Sequence, residues 1–203
     1  MTKKLPLSYF QNEDTLFLSK DLLGKFLMTE LNDHGVTGGM IVETEAYMAP
    51  DDKASHAYNH RRTDRTEMMY QSGGVAYVYL CYGMHHLFNI ITHKLDTPHA
   101  ILIRALEPTD GIDAMLKRCQ KSKKSPRLTS GPALLTKALG IKNTHTGVNL
   151  TEDQIWIEDR GMTIPDDQIV RSPRVGIDYA EEYATEHWRF TIKNHPSVSR
   201  KTK

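Results

Sequence analysis

The segment from Val75 to Tyr82 restricts the possible folds of this chain more than any other stretch. It contains three tyrosines, two valines and a leucine, and β-branched and aromatic residues at this density favour a β-strand. Gly83 and Met84 then permit a tight turn, and residues 86–92 predict a strand that returns beside the first. The pattern predicts a β-hairpin with Tyr77 and Tyr79 on one strand face.

The rest of the chain predicts further hairpins and a few helices. Strands are expected at 25–31, 36–44, 99–106, 155–158 and 188–192, with a turn at 32–35. Helices are expected at 15–23 with Asp14 as its cap and Gly24 as its stop, at 109–119, and after Ser130, a cap followed by Pro132 and Gly140. Successive hairpins with flanking helices predict an α+β fold. We expect a single domain over residues 1–203, with a curved, mostly antiparallel sheet and a protruding β-hairpin.

Composition excludes several classes of protein. The chain has 39% apolar and 25% charged residues, as in ordinary soluble proteins. We find neither a signal-peptide pattern at the start nor an apolar run near the ~18 residues of a membrane span. The two cysteines, Cys81 and Cys119, cannot build a disulfide framework and match no zinc-finger spacing. A cytoplasmic location without membrane contact is therefore expected.

Charge is distributed unevenly along the chain although the formal net charge is only +1. Residues 117–127 hold six bases and no acid, whereas residues 151–186 hold ten acids and three bases. A second basic cluster comprises His60, Arg61, Arg62 and Arg65. Such segregation can give a phosphate-binding face at low net charge, and the alternative is that these runs are solvated loops.

Glu43 and Glu45 are candidates for acid–base chemistry. Their spacing within a predicted strand puts both carboxylates on one face, roughly 7 Å apart. Inverting glycosidases place two carboxylates at a similar separation, which leaves room for water. An exposed strand face with two solvated glutamates is the alternative, although the preceding run Met40-Ile41-Val42 indicates burial.

The irregular segment 48–74 and its aromatic neighbours suggest binding. Five aromatic-ring side chains fall within 36 residues: Tyr47, His56, Tyr77, Tyr79 and Tyr82. Together with the nearby basic residues they could form a pocket in which a nucleobase stacks, and the alternative is that they belong to the core of the sheet. For Tyr77 we favour the core. His56 and His60, with Asp51 and Asp52, could instead bind a metal, as in a metal-dependent hydrolase. Pro50 and Asn59 argue against the regular helix that this metal site requires.

Taken together, several segments resemble the alkyladenine (3-methyladenine) DNA glycosylase family found in mammals and many bacteria. They occur in the family's order and span most of the chain: Ile41–Tyr47, Asp52–His56, Tyr77–Met84, Asn89, Leu102–Pro108, Ser130–Pro132 and Arg174–Gly176. The resemblance implies a monofunctional enzyme that flips a damaged purine out of the duplex and hydrolyses its bond to the sugar. Expected substrates are 3-methyladenine, 7-methylguanine, hypoxanthine and ethenoadenine.

The resemblance also implies a role for each matched residue. Glu45 is expected to be the general base, with Arg104 beside the same water and the backbone of Val175 helping to hold that water. Tyr47 would stack on one face of the flipped base, and His56 and Tyr79 on the other. Asn89 would line the pocket of the base. Tyr82 would enter the minor groove and fill the gap. Glu43 is expected to be structural or to support a catalytic residue without touching the substrate.

The family works without a cofactor or metal and leaves the DNA strand uncut, so the expected partner is double-stranded DNA with damaged purines, bound by a monomer. A non-catalytic nucleic-acid-binding module is the main alternative. Such a module would use the same rings and basic loops, but it would not need Glu45 and Arg104.

Overall fold

The fold is built on one antiparallel sheet, which the computed structural model describes over residues 3–31 and 35–200. Within these ranges the sheet has nine strands: β1 (Lys3–Lys4), β2 (Phe26–Glu30), β3 (Val36–Met48), β4 (Ala76–Cys81), β5 (His85–Thr92), β6 (His99–Asp110), β7 (Ile155–Asp159), β8 (Ile169–Ser172) and β9 (Arg189–Ile192). The α-helices are α1 (Leu7–Phe10), α2 (Thr15–Asp21), α3 (Ile112–Cys119) and α4 (Pro132–Leu139). Short 3-10 segments occur at Tyr58–His60, Glu67–Tyr70, Pro126–Leu128, Asn143–His145, Asp166–Gln168 and Asp178–Ala184.

Strand β3 is the centre of the sheet. The strand order is β1-β7-β2-β3-β6-β5-β4, and β9 pairs with the second half of β3 and with β8. Register shifts near Gly38, Ile41 and Glu43 interrupt the pairing of β3 with β6. Such bulges increase the local twist and bend of a strand, so the sheet curves at β3.

The main hydrophobic core lies on the helical side of the sheet. Side chains from alternate positions of the central strands, such as Ile101, Ile103, Phe88 and Ile90, pack there in one cluster with Leu18 of α2. Alternation along each strand sends the intervening residues to the other face. That second face carries polar and aromatic side chains, and it is where the candidate site lies.

The predicted α+β fold with a mostly antiparallel sheet is confirmed. The Asp14 side chain accepts a hydrogen bond from the Phe17 amide and caps α2 as predicted. The predicted cap at Ser130 is wrong, because Gly131, with a φ of 115°, is the N-cap residue of α4 and Ser130 forms a β-bridge with Ala105. Residues 32–34 of the predicted turn lie outside the described residues.

Two element boundaries also differ from the prediction. The expected helix at 109–119 begins at Ile112, because pairing with β3 extends β6 to Asp110. Two short strands, β1 and β8, were not predicted, since two and four residues give too little pattern. No helix among the described parts of the chain has both the length and the apolar character needed to cross a bilayer.

The hairpin of β4 and β5 ends in an exposed tip. The Met84 amide donates to the Cys81 carbonyl across the turn, and both residues between them have positive φ, Tyr82 at 50° and Gly83 at 71°. Positive φ at both central positions is the pattern of a type I′ turn, which suits glycine but strains a tyrosine. Tyr82 is 90% exposed, so packing against the described residues offsets little of this strain.

Candidate active site

One transverse row of the sheet brings the candidate residues together. Direct partners across the strands are Tyr77 with Asn89, Asn89 with Leu102, and Leu102 with Glu45. Directly paired residues of antiparallel strands share a sheet face. The row therefore places these side chains side by side on the face opposite the helical core, although they come from positions 45 to 102.

A cavity of about 450 Å³ covers this row. Its volume lies within the range of about 300–1,000 Å³ that is typical of small-ligand sites. All but one of the side chains predicted to form the site line it directly: Tyr47, His56, Tyr79, Tyr82, Asn89 and Arg104, together with Val175. The exception is Glu45, which is completely buried beneath this lining.

Glu45 is held by three donors that themselves line the cavity. Its Oε2 accepts from the Tyr47 hydroxyl at 2.9 Å and from Nη1 of Arg104 at 3.2 Å. Its Oε1 accepts from the Val175 amide at 2.8 Å. Among the described residues Oε2 therefore has two donors and Oε1 has one, so Oε1 is the oxygen better placed to accept a further hydrogen bond beside Val175.

Arg104 lies between the two glutamates. Its Nε donates to Oε1 of Glu43 at 3.1 Å while its Nη1 reaches Glu45. Burial opposes the charge on this guanidinium, but the charges of Glu45 and Glu43 outweigh burial and raise the pKa of Arg104. Glu43 also accepts from Nε of Arg189 at 2.7 Å. Two buried carboxylates thus face two buried guanidinium groups, and Glu43 contacts protein groups rather than the cavity.

The ring of Tyr47 is supported by a second buried ion pair. Arg174 donates two hydrogen bonds to Asp52, at 2.6 and 2.8 Å, and both side chains are fully buried. The Arg174 guanidinium lies 4.6 Å from the centre of the Tyr47 ring and 4.9 Å from the Trp188 ring. The Tyr47 hydroxyl stays protonated, because burial and the charge of Glu45 raise its pKa well above the usual value.

His56 and Tyr79 form another wall of the cavity with Tyr77. The His56 and Tyr79 rings meet edge to face with centres 4.5 Å apart, and Nδ1 of His56 lies 2.9 Å from the Tyr77 hydroxyl. Burial, then the charges of Arg65 and Arg61, lower the pKa of His56 to about 4. Tyr77 is itself buried in a small apolar cluster, which agrees with our preference for a core role.

The tautomer of His56 follows from its neighbours. Arg65 can only donate, and its Nη2 lies 3.4 Å from Nε2 of His56, so Nε2 is the acceptor. The proton of the neutral ring is then on Nδ1 and points to the Tyr77 hydroxyl. A neutral ring at this wall can contact a cationic ligand without charge repulsion.

Asn89 lines the cavity and also ties the hairpin. Its Nδ2 donates to the carbonyl of Tyr77 at 3.1 Å and, at 3.4 Å, to that of Leu87. With the amide nitrogen engaged by the backbone, Oδ1 has no partner in residues 3–31 and 35–200 and is the group left to face the cavity. The bond to Tyr77 joins β5 to β4, so Asn89 also helps to fix the hairpin.

Some contributors to the site were missed by the sequence analysis. Tyr179 and Arg65 line the cavity mouth, Arg189 binds Glu43, and Asp52 pairs with Arg174. Arg65 belongs to the second basic cluster and Arg174 to a segment that matches the family, so the sequence held a signal for each of them. Nothing in the local pattern marks Tyr179, which lies in a 3-10 segment among acidic residues.

The residues considered for a metal site do not form a common metal-binding cluster among the described residues. Asp52 is paired with Arg174, His56 contacts Tyr77 and Arg65, and His60 is exposed. Across the described residues, no three His, Cys, Asp or Glu side chains are grouped so that they could bind one metal ion.

The basic segments are only partly available to a ligand. Arg62 is neutralised by Glu67 and Asp96, and the half-buried Arg118 donates to Thr37 and to carbonyls of the core. The exposed basic side chains of the two clusters that have no acidic partner among the described residues are those of His60, Arg61, Arg65, Lys117, Lys121, Lys123, Lys124 and Arg127.

Comparison with known proteins agrees with this geometry. The family model for methylpurine-DNA glycosylase (MPG) matches residues 9–196. A protein of Chlamydia felis named "Putative 3-methyladenine DNA glycosylase" is 48% identical over 189 residues, which cover 93% of this chain and 95% of its own length. A Bacillus cereus protein of the same name is 47% identical, covering 97% of this chain and 98% of its own. The chain thus belongs to the methylpurine-DNA glycosylase family, a family of DNA glycosylases that hydrolyse N-glycosyl bonds.

Proposed function

We propose that this chain is a monofunctional DNA N-glycosylase that removes alkylated or deaminated purines after they rotate out of the duplex. The observation that carries the proposal is a buried carboxylate, Glu45, beneath a cavity walled by aromatic rings. A base inside a duplex is out of reach of such a carboxylate, so the target must leave the stack at a cost of a few kcal/mol. Stacking on aromatic rings contributes about 1–3 kcal/mol per base and offsets much of that cost.

In the proposed reaction a water molecule attacks C1′ of the deoxyribose. The bond from C1′ to the purine nitrogen breaks, and its electron pair leaves with the base. Glu45 accepts the water proton at Oε1, the oxygen better placed to accept a further hydrogen bond beside Val175. The negative charge also stabilises the oxocarbenium-like sugar of the transition state. The products are the free base and an abasic site.

The walls of the cavity favour cationic lesions such as 3-methyladenine and 7-methylguanine. Tyr47 and Tyr79 present electron-rich rings, to which cations are attracted. His56 is neutral at physiological pH because its pKa is near 4. A base that already carries a positive charge needs no proton donor to leave, whereas hypoxanthine and ethenoadenine do not have this advantage. We therefore place the neutral lesions second among the substrates.

We also propose that the enzyme leaves the strand intact. A lyase step requires an uncharged amine that forms a Schiff base with the sugar. Lys53 is near the cavity but does not line it, and its hydrogen bonds to Glu181 and Glu182 raise its pKa, so it stays protonated. We further propose that the enzyme acts as a monomer on double-stranded DNA.

Substitution of Tyr82 tests whether this side chain is the wedge that fills the gap left in the duplex by the rotated base. Tyr82→Ala is expected to weaken extrusion of the base about 5- to 150-fold, which corresponds to the ~1–3 kcal/mol of one base–aromatic stack. The loss should be smaller when the lesion is mismatched, because its base is already poorly paired. A fluorescent base analogue in the duplex measures extrusion. Tyr58→Ala is the control, because Tyr58 is exposed but does not line the cavity. Unchanged extrusion in the Tyr82 variant would assign the wedge to another residue.

Substitution of Asn89 tests discrimination against guanine. Guanine carries a 2-amino group that adenine and hypoxanthine lack. Since Oδ1 of Asn89 could accept a hydrogen bond from that group, exclusion must come from the space that the side chain occupies. Overpacking costs about 1–3 kcal/mol, so Asn89→Ser is expected to raise guanine excision relative to hypoxanthine about tenfold. The measurement is the ratio of single-turnover rates on matched duplexes. A parallel fall of both rates would indicate that Asn89 only ties the hairpin.

The decisive experiment is release of free base from duplexes that each contain one lesion. Release of 3-methyladenine and 7-methylguanine, with abasic sites but no strand breaks, supports the proposed function. Binding without release would indicate the non-catalytic module, and a borohydride-trapped covalent adduct would indicate a lyase. Loss of activity after exhaustive chelation would indicate the metal-dependent hydrolase instead.

A further inference from the structure

The C-terminal segment reaches the buried charges behind the cavity. Ser199 donates twice to Glu43, from its backbone amide to Oε2 at 2.6 Å and from its hydroxyl to Oε1 at 3.0 Å. Arg189 donates to the Arg200 carbonyl from the guanidinium that also binds Glu43. Residues 199 and 200 therefore contact both partners of one buried ion pair, and they lie beyond the residues that the family model matches.

A short chain of contacts leads from Ser199 to the proposed base. Ser199 donates to Glu43, Glu43 accepts from Nε of Arg104, and Nη1 of the same guanidinium donates to Glu45. The guanidinium is a rigid plane, so the direction of its Nε contact fixes the direction of its Nη1 contact. The orientation of the Glu43 carboxylate thus bears on the position of Arg104 relative to Glu45.

Glu43 depends on Ser199 for one of its two oxygens. Oε1 accepts from Arg104, Arg189 and the Ser199 hydroxyl, whereas the Ser199 amide is the one partner of Oε2 among residues 3–31 and 35–200. The backbone amide and the hydroxyl of Ser199 engage the two oxygens together. This paired contact prevents rotation of the carboxylate about its terminal bond.

We propose that Ser199 is a positioning residue of the active centre, which fixes Glu43 and, through it, the alignment of Arg104 with Glu45. The proposal rests on the proposed role of Glu45 as general base. A misplacement of about 1 Å can reduce a rate by about 10²-fold, and loss of one of the two Ser199 contacts is expected to cost part of this. We therefore expect Ser199→Ala to slow base release about tenfold at saturating enzyme, with little change in affinity for DNA.

The experiment measures single-turnover release of 7-methylguanine and the dissociation constant of lesion-containing DNA for full-length variants. Ser199→Thr keeps the hydroxyl and should restore the rate. Ser197→Ala is the matched control, because Ser197 lies in the same segment and its hydroxyl makes no hydrogen bond within the described residues. Circular dichroism and thermal unfolding verify that each variant folds.

A double variant separates positioning from general support of the fold. If Ser199 acts through Glu45, then adding Ser199→Ala to Glu45→Gln should cause no further loss of rate, because coupled residues are not additive. The proposal would be overturned if Ser199→Ala caused an equal loss of rate in both backgrounds, or if the Ser199→Ala variant released base at the native rate. In either case a slow Glu45→Gln variant would leave the proposed function standing. A Glu45→Gln variant at the native rate would overturn both.

Discussion

Replacing Glu45 with glutamine is expected to reduce single-turnover base release by about 10²–10⁴-fold, the range typical of acid–base catalysis. Glutamine retains the shape of the side chain but loses the negative charge and the ability to accept a proton. Its amide group also meets three donors, from Tyr47, Arg104 and Val175, where the carboxylate accepted from all of them. The acceptor position at Oε1 is then disturbed as well.

The comparison that makes this result specific is Glu43→Gln. Glu43 is equally buried, but of its partners Arg104, Arg189 and Ser199 only Arg104 lines the cavity, whereas all three partners of Glu45 do. Its substitution should reduce the stability of the fold and slow the chemical step far less than substitution of Glu45. Both variants should bind lesion-containing DNA nearly as tightly as the native chain. Near-normal release by the Glu45 variant would contradict its assignment as the base.

Asp52→Asn is expected to lower the free energy of unfolding by about 3–5 kcal/mol, the usual cost of removing one partner from a buried ion pair. Asp52 and Arg174 are both fully buried, so the remaining guanidinium charge would have neither water nor a counter-charge. Urea unfolding at pH 7 measures the loss. Because Arg174 also lies against the Tyr47 ring, the same variant should bind lesion-containing DNA less tightly.

Asp166→Asn is the matched control for this prediction. Asp166 forms an ion pair of similar length with Lys20, at 2.7 Å against 2.6 Å for Asp52 and Arg174, but Asp166 is largely exposed. Exposed pairs contribute about 0–1 kcal/mol, so the control should unfold almost like the native chain. Equal effects of the two substitutions would mean that burial does not set the cost at Asp52.

Period-two patterns explain why much of the sheet could be predicted from sequence. The strands near 76–81, 85–92 and 99–106 alternate or run apolar over enough residues to be recognised, and Asp14 and Gly140 mark helix ends. The implied site residues on β3, β4, β5 and β6 lie together at one cavity because the register of these strands aligns their positions, and His56, Tyr82 and Val175 reach the same cavity from loops and the hairpin turn.

The contacts that complete the site could not be predicted, since they join residues far apart in sequence. Glu43 is 146 residues from Arg189, and Asp52 is 122 residues from Arg174. Local patterns contain no information on such pairs, and each charged residue alone reads as a surface residue. Ser130 was mistaken for a cap because serine is the usual residue there, whereas the backbone needs the positive φ that Gly131 supplies.

The outer edge of β4 is closed for only part of its length. Ala76 exchanges backbone hydrogen bonds with Gly147 and Val148, and the amide and carbonyl of Val78 both contact the Thr146 hydroxyl. By alternation Leu80 presents its amide to the same edge, where the described residues supply no partner. Opening of the tip breaks hydrogen bonds to β5 alone, whereas opening of the base of the hairpin breaks bonds on both edges and exposes the core.

The hairpin therefore differs in stiffness along its length, and the change falls at Tyr79. The free energy of local opening is lowest where few hydrogen bonds and few buried contacts must be broken, which here is the turn that carries Tyr82. Under the proposed function, a duplex that presses on this turn would bend it at small cost. The wall formed by Tyr77 and His56 would keep its geometry meanwhile, because Tyr77 lies on the closed part of the edge and its hydroxyl contacts His56.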